Sequence, residues 1–272
     1  MKKTSFKYPI LADDHYVLGG LSSLPKIVLR EDGNWSDLVP VFEPQRKGNL
    51  ETFNCTGFAT LNCVEAIFKQ LGVEVNYSDR FLGIVAGTNP DNGGNDPHTV
   101  AEMARKNGFL KEEMLPFSDN LKDVSEFYSF KDSEETTCRN LALGWLELWG
   151  FGHEWVLKGG EEDKQSRLME SLKYSPLGVS VDAWNKDPVT GLYVKNKGGQ
   201  DNHWTQLVWF KKDEYWLVYD SYLEDGVPIK KLAWDYDFTF AKRYAIVKKK
   251  IVMRGGNWLT DIIARILDII RF

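Results

Sequence analysis

The sequence predicts an α+β fold, with helices in its first half and an antiparallel sheet in its second, on three observations. Apolar residues from Phe58 to Leu71 recur at three- and four-residue spacing, the mark of one helix face. From residue 177 onward, short β-branched and aromatic runs are separated by turn residues, the mark of strands. Hydrophobic content of 43% and aromatic content of 13% over 272 residues suffice for one large core or two small ones. Runs of helix followed by runs of strand give segregated α+β layers.

Taken in order, residues 1–34 read as an extended arm laid over the surface, with Leu18-Gly19-Gly20-Leu21 and Leu24-Pro25-Lys26-Ile27-Val28-Leu29 as its apolar contacts. The main body is expected over residues 35–253, helical over about 50–130 and β over about 135–253. The first long helix carries Phe58, Leu61, Val64, Ile67, Phe68 and Leu71, runs to about Gln70 and stops at Gly72. A second well-marked helix has Asn95 or Asp96 as cap, Pro97 at its first position and Gly108 at its end, with Val100, Met103 and Ala104 facing inward. A further helical turn is expected within Asn120–Phe127. Leu141–Leu157 is open between strand and helix, and Glu161–Tyr174 reads as a helix stopped before Pro176. Strands are expected at about 177–183, 191–195, 203–210, 214–219 and 239–252. Residues 254–272 read as an amphipathic helix, with Trp258, Leu259, Ile262, Ile263 and Ile266 on one side and Asp261, Arg265, Asp268 and Arg271 on the other.

Three residues in this frame carry chemistry. Cys55 opens the first long helix, where unpaired amide N–H groups and the positive end of the helix dipole favour thiolate over thiol. A cysteine there is also consistent with a small buried hydrophobe. His203 begins the strand His203-Trp204-Thr205-Gln206-Leu207-Val208-Trp209-Phe210. A turn at Lys211-Lys212-Asp213 leads to Tyr215-Trp216-Leu217-Val218-Tyr219, which delivers Asp220 at its end. One hairpin thus presents an imidazole and a carboxylate side by side. Nucleophile, base and orienting group follow in chain order as Cys55, His203 and Asp220.

The chain resembles the papain-like cysteine peptidases over most of residues 35–250. Cys55-Thr56-Gly57-Phe58-Ala59 is similar to the family's Cys-Trp-Ala-Phe-Ser helix start, and Tyr77-Ser78-Asp79-Arg80 to its short second helix. Asn92-Gly93-Gly94-Asn95 resembles the Gly-Gly element of the substrate cleft, and Met114-Leu115-Pro116-Phe117 stands where Tyr-Pro-Tyr is usual. Val179-Ser180-Val181-Asp182-Ala183 resembles the strand before the histidine, Asn202-His203 the histidine dipeptide, and Asp220-Ser221-Tyr222 the Asn-Ser-Trp element. Separations also fit, at 203 − 55 = 148 and 220 − 203 = 17 residues. The resemblance implies a papain-like fold with the active site between a helical and a β wall. It implies peptide-bond hydrolysis through a Cys55 thiolate and a thioester acyl-enzyme, with Gly93, Gly94 and Asn202 at the cleft and no cofactor or metal.

Four departures qualify it. Asp220 replaces the usual Asn, and its substitution by Asn is expected to be tolerated. Thr56 and Tyr222 stand at two Trp positions. The family's oxyanion glutamine lies six residues before the cysteine, where this chain has Asn49; Gln45 lies four residues earlier. Either Asn49 reaches the oxyanion, or the eight residues Arg46 to Phe53 loop out and bring Gln45 in, and the length of that stretch favours Gln45. The missing helical pro-segment, modest size and unfamiliar arm resemble viral or phage-encoded versions.

Net charge is −5, from 34 basic and 39 acidic residues, and no basic patch is interleaved with aromatics, which argues against nucleic-acid binding. Cys55, Cys63 and Cys138 are an odd number without a Cys-x-x-Cys pair, so a reducing compartment is expected, cytoplasmic or within a particle. The first residues lack an apolar run long enough for a signal peptide. The terminal apolar stripe is too short and too charged to span a bilayer, which needs ~20 apolar residues. Docking on its own domain, a protein partner or a second copy suits it better. Gly152-His153-Glu154 lacks a second histidine at helical spacing, and His15 and His98 read as surface or capping residues. Two other functions are compatible with the pattern. One is a catalytically inactive papain-like structural or binding protein of a larger assembly. The other is a transglutaminase-like acyl enzyme, whose cysteine and histidine lie closer in sequence.

Overall fold

The structure is a computed structural model that describes residues 6–12, 15, 24–131, 133–223 and 226–249. The expected terminal helix at 254–272 lies outside the described residues. A two-stranded hairpin, β1 (Arg46–Lys47) and β2 (Leu50–Glu51), leads into α1 (Cys55–Gln70). Then come α2 (Asp79–Val85), α3 (Pro97–Asn107), α4 (Val124–Phe127) and α5 (Glu135–Leu148). Strand β3 (Trp149–Lys158) and helix α6 (Lys164–Leu172) precede β4 (Leu177–Val181), β5 (His203–Lys211), β6 (Tyr215–Tyr219), β7 (Ile229–Ala233) and β8 (Phe240–Lys248).

Local chemistry explains the helix ends. Gly72, at φ 78°, takes the left-handed conformation that stops α1, and Leu71 at the cap is exposed rather than part of the buried face. The Asp96 carboxylate accepts from His98 N and Thr99 N, Pro97 occupies the first position of α3, and Gly108 ends it at φ 75°. Ser78 caps α2 by accepting from Phe81 N.

Helix α1 is buried on all sides from Cys55 to Phe68, more than a single amphipathic face predicts. It lies between α2 and α3 on one side and β4, β5 and β8 on the other. The sheet is antiparallel throughout, in the order β3-β8-β4-β5-β6-β7. The chain therefore has the expected helical layer packed on an antiparallel sheet.

Several elements differ from expectation. The ambiguous stretch around Leu141–Leu157 divides into the end of α5 and then β3, where Trp149 is the helix cap and already extended. So helix persists to Leu148, into the expected β region. Residues 191–195 form no strand; after a turn held by the Asp187 carboxylate, Tyr193 makes only isolated bridges to Lys186 and Leu232. Strand β7 was not foreseen, because its inward position 230 is a lysine. Alternation of burial along Ile229-Lys230-Lys231-Leu232 is real, but alternation of hydropathy is not.

Candidate active site

Cys55 is the first residue of α1, and the Asn54 side chain does not cap that helix. The Asn54 amide instead donates to the Asp79 carbonyl at 3.0 Å, and its oxygen accepts from Thr88 Oγ1 at 3.5 Å. Turning the cap residue away leaves the helix start, with its partial positive charge, to the Cys55 sulfur.

The β5–β6 hairpin places the other two residues. His203 opens β5 opposite Val181 of β4, and Asp220 follows the last residue of β6. His203 Nε2 and Asp220 Oδ1 lie 2.5 Å apart. Relative exposures of Cys55, His203 and Asp220 are 0%, 2% and 1%, so all three are shielded from bulk water. With Nε2 engaged by Asp220, the buried Nδ1 is the nitrogen left for the Cys55 sulfur. Burial pushes the His203 pKa down, but Asp220, and then hydrogen bonding and charge from Cys55, outweigh it and raise it to about 10. Burial likewise pushes Asp220 up, and His203 together with Lys230 brings it below the ordinary carboxylate value. Such a site favours an imidazolium beside a carboxylate. Two rings flank the imidazole, Tyr222 at 5.3 Å and Trp184 at 5.8 Å between centroids.

The oxyanion candidates separate clearly. Residues 46–51 do loop out, as the β1–β2 hairpin, with Asn49 exposed at its tip. Gln45 is fully buried at its base. The inserted hairpin thus carries Asn49 outward, while Gln45 stays at its base. Ser221 Oγ donates to Gln45 Oε1 at 2.9 Å, which fixes the amide orientation. Gln45 Nε2 then donates to Glu51 Oε1 at 3.1 Å and to the Tyr222 hydroxyl. Tyr222 in turn hydrogen-bonds Glu51, and burial followed by the charges of Glu51 and Cys55 raises its pKa far above the usual tyrosine value. Glu51 also accepts from Phe53 N at 3.1 Å, and Phe53 holds a left-handed φ of 54° between β2 and α1. A carboxylate and a phenol therefore occupy the Gln45 amide.

The other candidate residues, Gly93, Gly94 and Asn202, lie in turns and loops. Gly93 and Gly94, at φ 76° and 84°, form a turn closed by Gly94 N donating to Asn89 O at 2.9 Å. The next residue, Asn95, pairs with Phe6, and Lys7 N donates to Asn95 O at 3.1 Å. Phe6 is buried in a cluster with Cys55, Ala59, Trp155, Trp204 and Phe240, and stacks on Trp204. The Tyr8 hydroxyl accepts from Asp201 N at 3.0 Å. The arm thus contacts both walls of the site, which was not legible in its sequence. Asn202 holds the loop after β4: its oxygen accepts from Ala183 N at 2.9 Å, and its amide donates to Asp182 Oδ1 at 3.3 Å.

His98, expected at the surface or a cap, is half-buried with close polar company, and His153 is buried. His15 stacks on His98 at 3.5 Å, and buried Lys242 lies 3.1 Å from His153 Nδ1 and 3.5 Å from His98 Nδ1. His153 Nε2 meets Glu102 at 2.9 Å, and Glu154 pairs with Arg243. Among the described residues, no group of three or more His, Cys, Asp and Glu side chains is arranged to hold a metal ion. No helix among them is long and apolar enough to cross a membrane. Sequence reasoning missed Lys230, Trp184 and Glu51 at the candidate site. None belongs to a motif, and only the fold brings them to His203 or Gln45.

Comparison with solved structures gives the fold. A digestive procathepsin L 3 from Tenebrio molitor larval midgut matches with a TM-score of 0.58 at 16% identity, over 82% of this chain and 73% of that chain. Bromelain from Ananas comosus matches with a TM-score of 0.57 at 18% identity, over 78% and 97%. The Amb a 11 cysteine protease of ragweed pollen, in its proform, matches with a TM-score of 0.57 at 14% identity, over 92% and 67%. No family model and no curated protein sequence matches the chain. The fold is papain-like, and its structural neighbours are papain-like cysteine proteases.

Proposed function

We propose that this chain is a cysteine peptidase acting through a Cys55 thiolate. The observation that carries the reading is the buried His203–Asp220 contact of 2.5 Å, which directs the second imidazole nitrogen to a cysteine at a helix start. His203 takes the Cys55 proton, and the resulting ion pair is stabilised by Asp220 and the helix dipole. The thiolate attacks a peptide carbonyl. Cys55 N–H and the Gln45 amide then hold the oxyanion, an interaction whose loss typically costs ~2.7–4 kcal/mol of barrier. His203 returns its proton to the leaving amine, and water, deprotonated by the same imidazole, cleaves the thioester. For Gln45 to serve, the oxyanion must replace Glu51 and Tyr222 as its partner.

A second reading is favoured by those same contacts. Cys55 is fully buried, the Gln45 amide is engaged and the arm spans both walls, as befits an inactive papain-like binding component. Incubation with activated peptide esters, followed by intact and peptide mass spectrometry, separates the two. The peptidase reading predicts an acyl adduct on Cys55 that decays in the native protein and is absent in Cys55→Ser. Absence of any adduct at Cys55, with Cys55 still alkylable, supports the inactive reading.

A further inference from the structure

Asp220 has two oxygens, and the imidazole accounts for one. The other lies 3.0 Å from the ammonium of Lys230, a side chain that is itself wholly buried. Lys230 sits on β7, paired in register with Val218, at an inward position where a sheet normally places an apolar residue. Its Nζ also donates to the Tyr222 carbonyl at 2.7 Å and lies 4.8 Å from the centre of the Trp184 ring. One ammonium therefore touches the carboxylate that holds His203 and the two residues whose rings flank it.

We propose that Lys230 is a positioning residue for the catalytic pair, acting through Asp220 so that a carboxylate serves where a neutral amide would otherwise suffice. The inference rests on the peptidase reading above. A bare buried carboxylate at 2.5 Å from an imidazolium stabilises the charged ring strongly, and so makes it a reluctant acid toward the leaving group. The Lys230 charge on the opposite oxygen offsets that field. The Asp220–Lys230 unit is net neutral and presents His203 with an acceptor closer in strength to an amide. Lys230 also fixes the carboxylate plane, because both oxygens are held from opposite sides. Asp220 N, donating to Pro228 O at 2.9 Å, ties the same residue to the segment leading into β7.

The test is the pH dependence of Cys55 alkylation by iodoacetamide, in full-length protein, for native chain, Lys230→Met, Lys230→Arg, Asp220→Asn and Asp220→Asn/Lys230→Met. Loss of the ammonium should move the basic limb of the profile upward by ~1 pH unit, as expected for removing a charge at this range. Lys230→Arg should hold the limb near its native place. Asp220→Asn leaves the ammonium without its counter-ion, and the double variant removes both charges. The double variant should therefore melt higher, and alkylate more nearly as the native protein does, than Asp220→Asn alone. That comparison stands even where Lys230→Met alone fails to fold. A native profile at Cys55 with no activation defeats the peptidase reading itself. An activated native profile unchanged in Lys230→Met, or strictly additive effects in the double variant, overturns the role of Lys230 alone.

Discussion

His203 Nε2 lies 2.5 Å from Asp220 Oδ1 with both side chains buried, and the contact is set by the two strands of one hairpin. Its electrostatics give a signed pH dependence. The raised pKa of His203, about 10, adds stability that is complete below the unfolded value of ~6.5 and is lost as pH rises toward 10. The lowered pKa of Asp220 adds stability that is present above its unfolded value of ~3.9 and is lost as pH falls through its folded value. Thermal melting of native protein against His203→Ala should therefore show the largest difference between about pH 4 and 6.5, shrinking in both directions. A difference that grows steadily from pH 6.5 to 10 contradicts the pair.

Asp220→Asn should be more damaging than the family resemblance implies. Asn can orient an imidazole, but here it would strand the buried Lys230 ammonium. Breaking a buried pair by removing one partner typically costs ~3–5 kcal/mol. Urea unfolding should register a loss of that order, and a change within ±0.5 kcal/mol, the range of ordinary surface substitutions, would show Lys230 to be well solvated without Asp220.

Gln45→Ala and Asn49→Ala should diverge. Gln45 is buried beside Ser221 and Tyr222, whereas Asn49 is exposed at the hairpin tip. Turnover of a peptide amide should fall by ~10²–10³ in the first, the usual effect of losing one oxyanion donor. The second should match native protein. Equal effects would mean that the hairpin, not the amide, matters.

Phe6→Ala should open the site. Phe6 stacks on Trp204 and shares a buried cluster with Cys55. Truncating it removes the ring that ties the arm to that cluster, so Cys55 should alkylate faster while Cys63, buried inside α1, does not. An unchanged rate at Cys55 would show that Phe6 does not limit access.

Much of the helical half was legible in sequence, because its ends are written in residues with special backbone needs: Gly72, Pro97 and Gly108. The meeting of His203 with Asp220 was legible because two hairpin strands constrain where a histidine and a carboxylate can meet. Lys230 was not legible, since a charged residue at an inward strand position inverts the pattern from which strands are read. The placement of Gln45 and Asn49 depended on whether residues 46–51 loop out, a matter of hairpin pairing over two short strands. Phe6 and Trp184 reach the site through tertiary contacts, with Trp204 and His203 of β5 among them, which no local pattern encodes.

The central claim is that His203 activates Cys55. Its most direct measurement is the rate of Cys55 alkylation by iodoacetamide from pH 4 to 9, located by peptide mass spectrometry, in native protein and His203→Ala. An unactivated thiol follows its thiolate fraction around a pKa of ~8.5. The account predicts labelling of Cys55 that persists well below that pH in native protein and is lost in His203→Ala. Labelling that tracks an ordinary thiol in both proteins would contradict it.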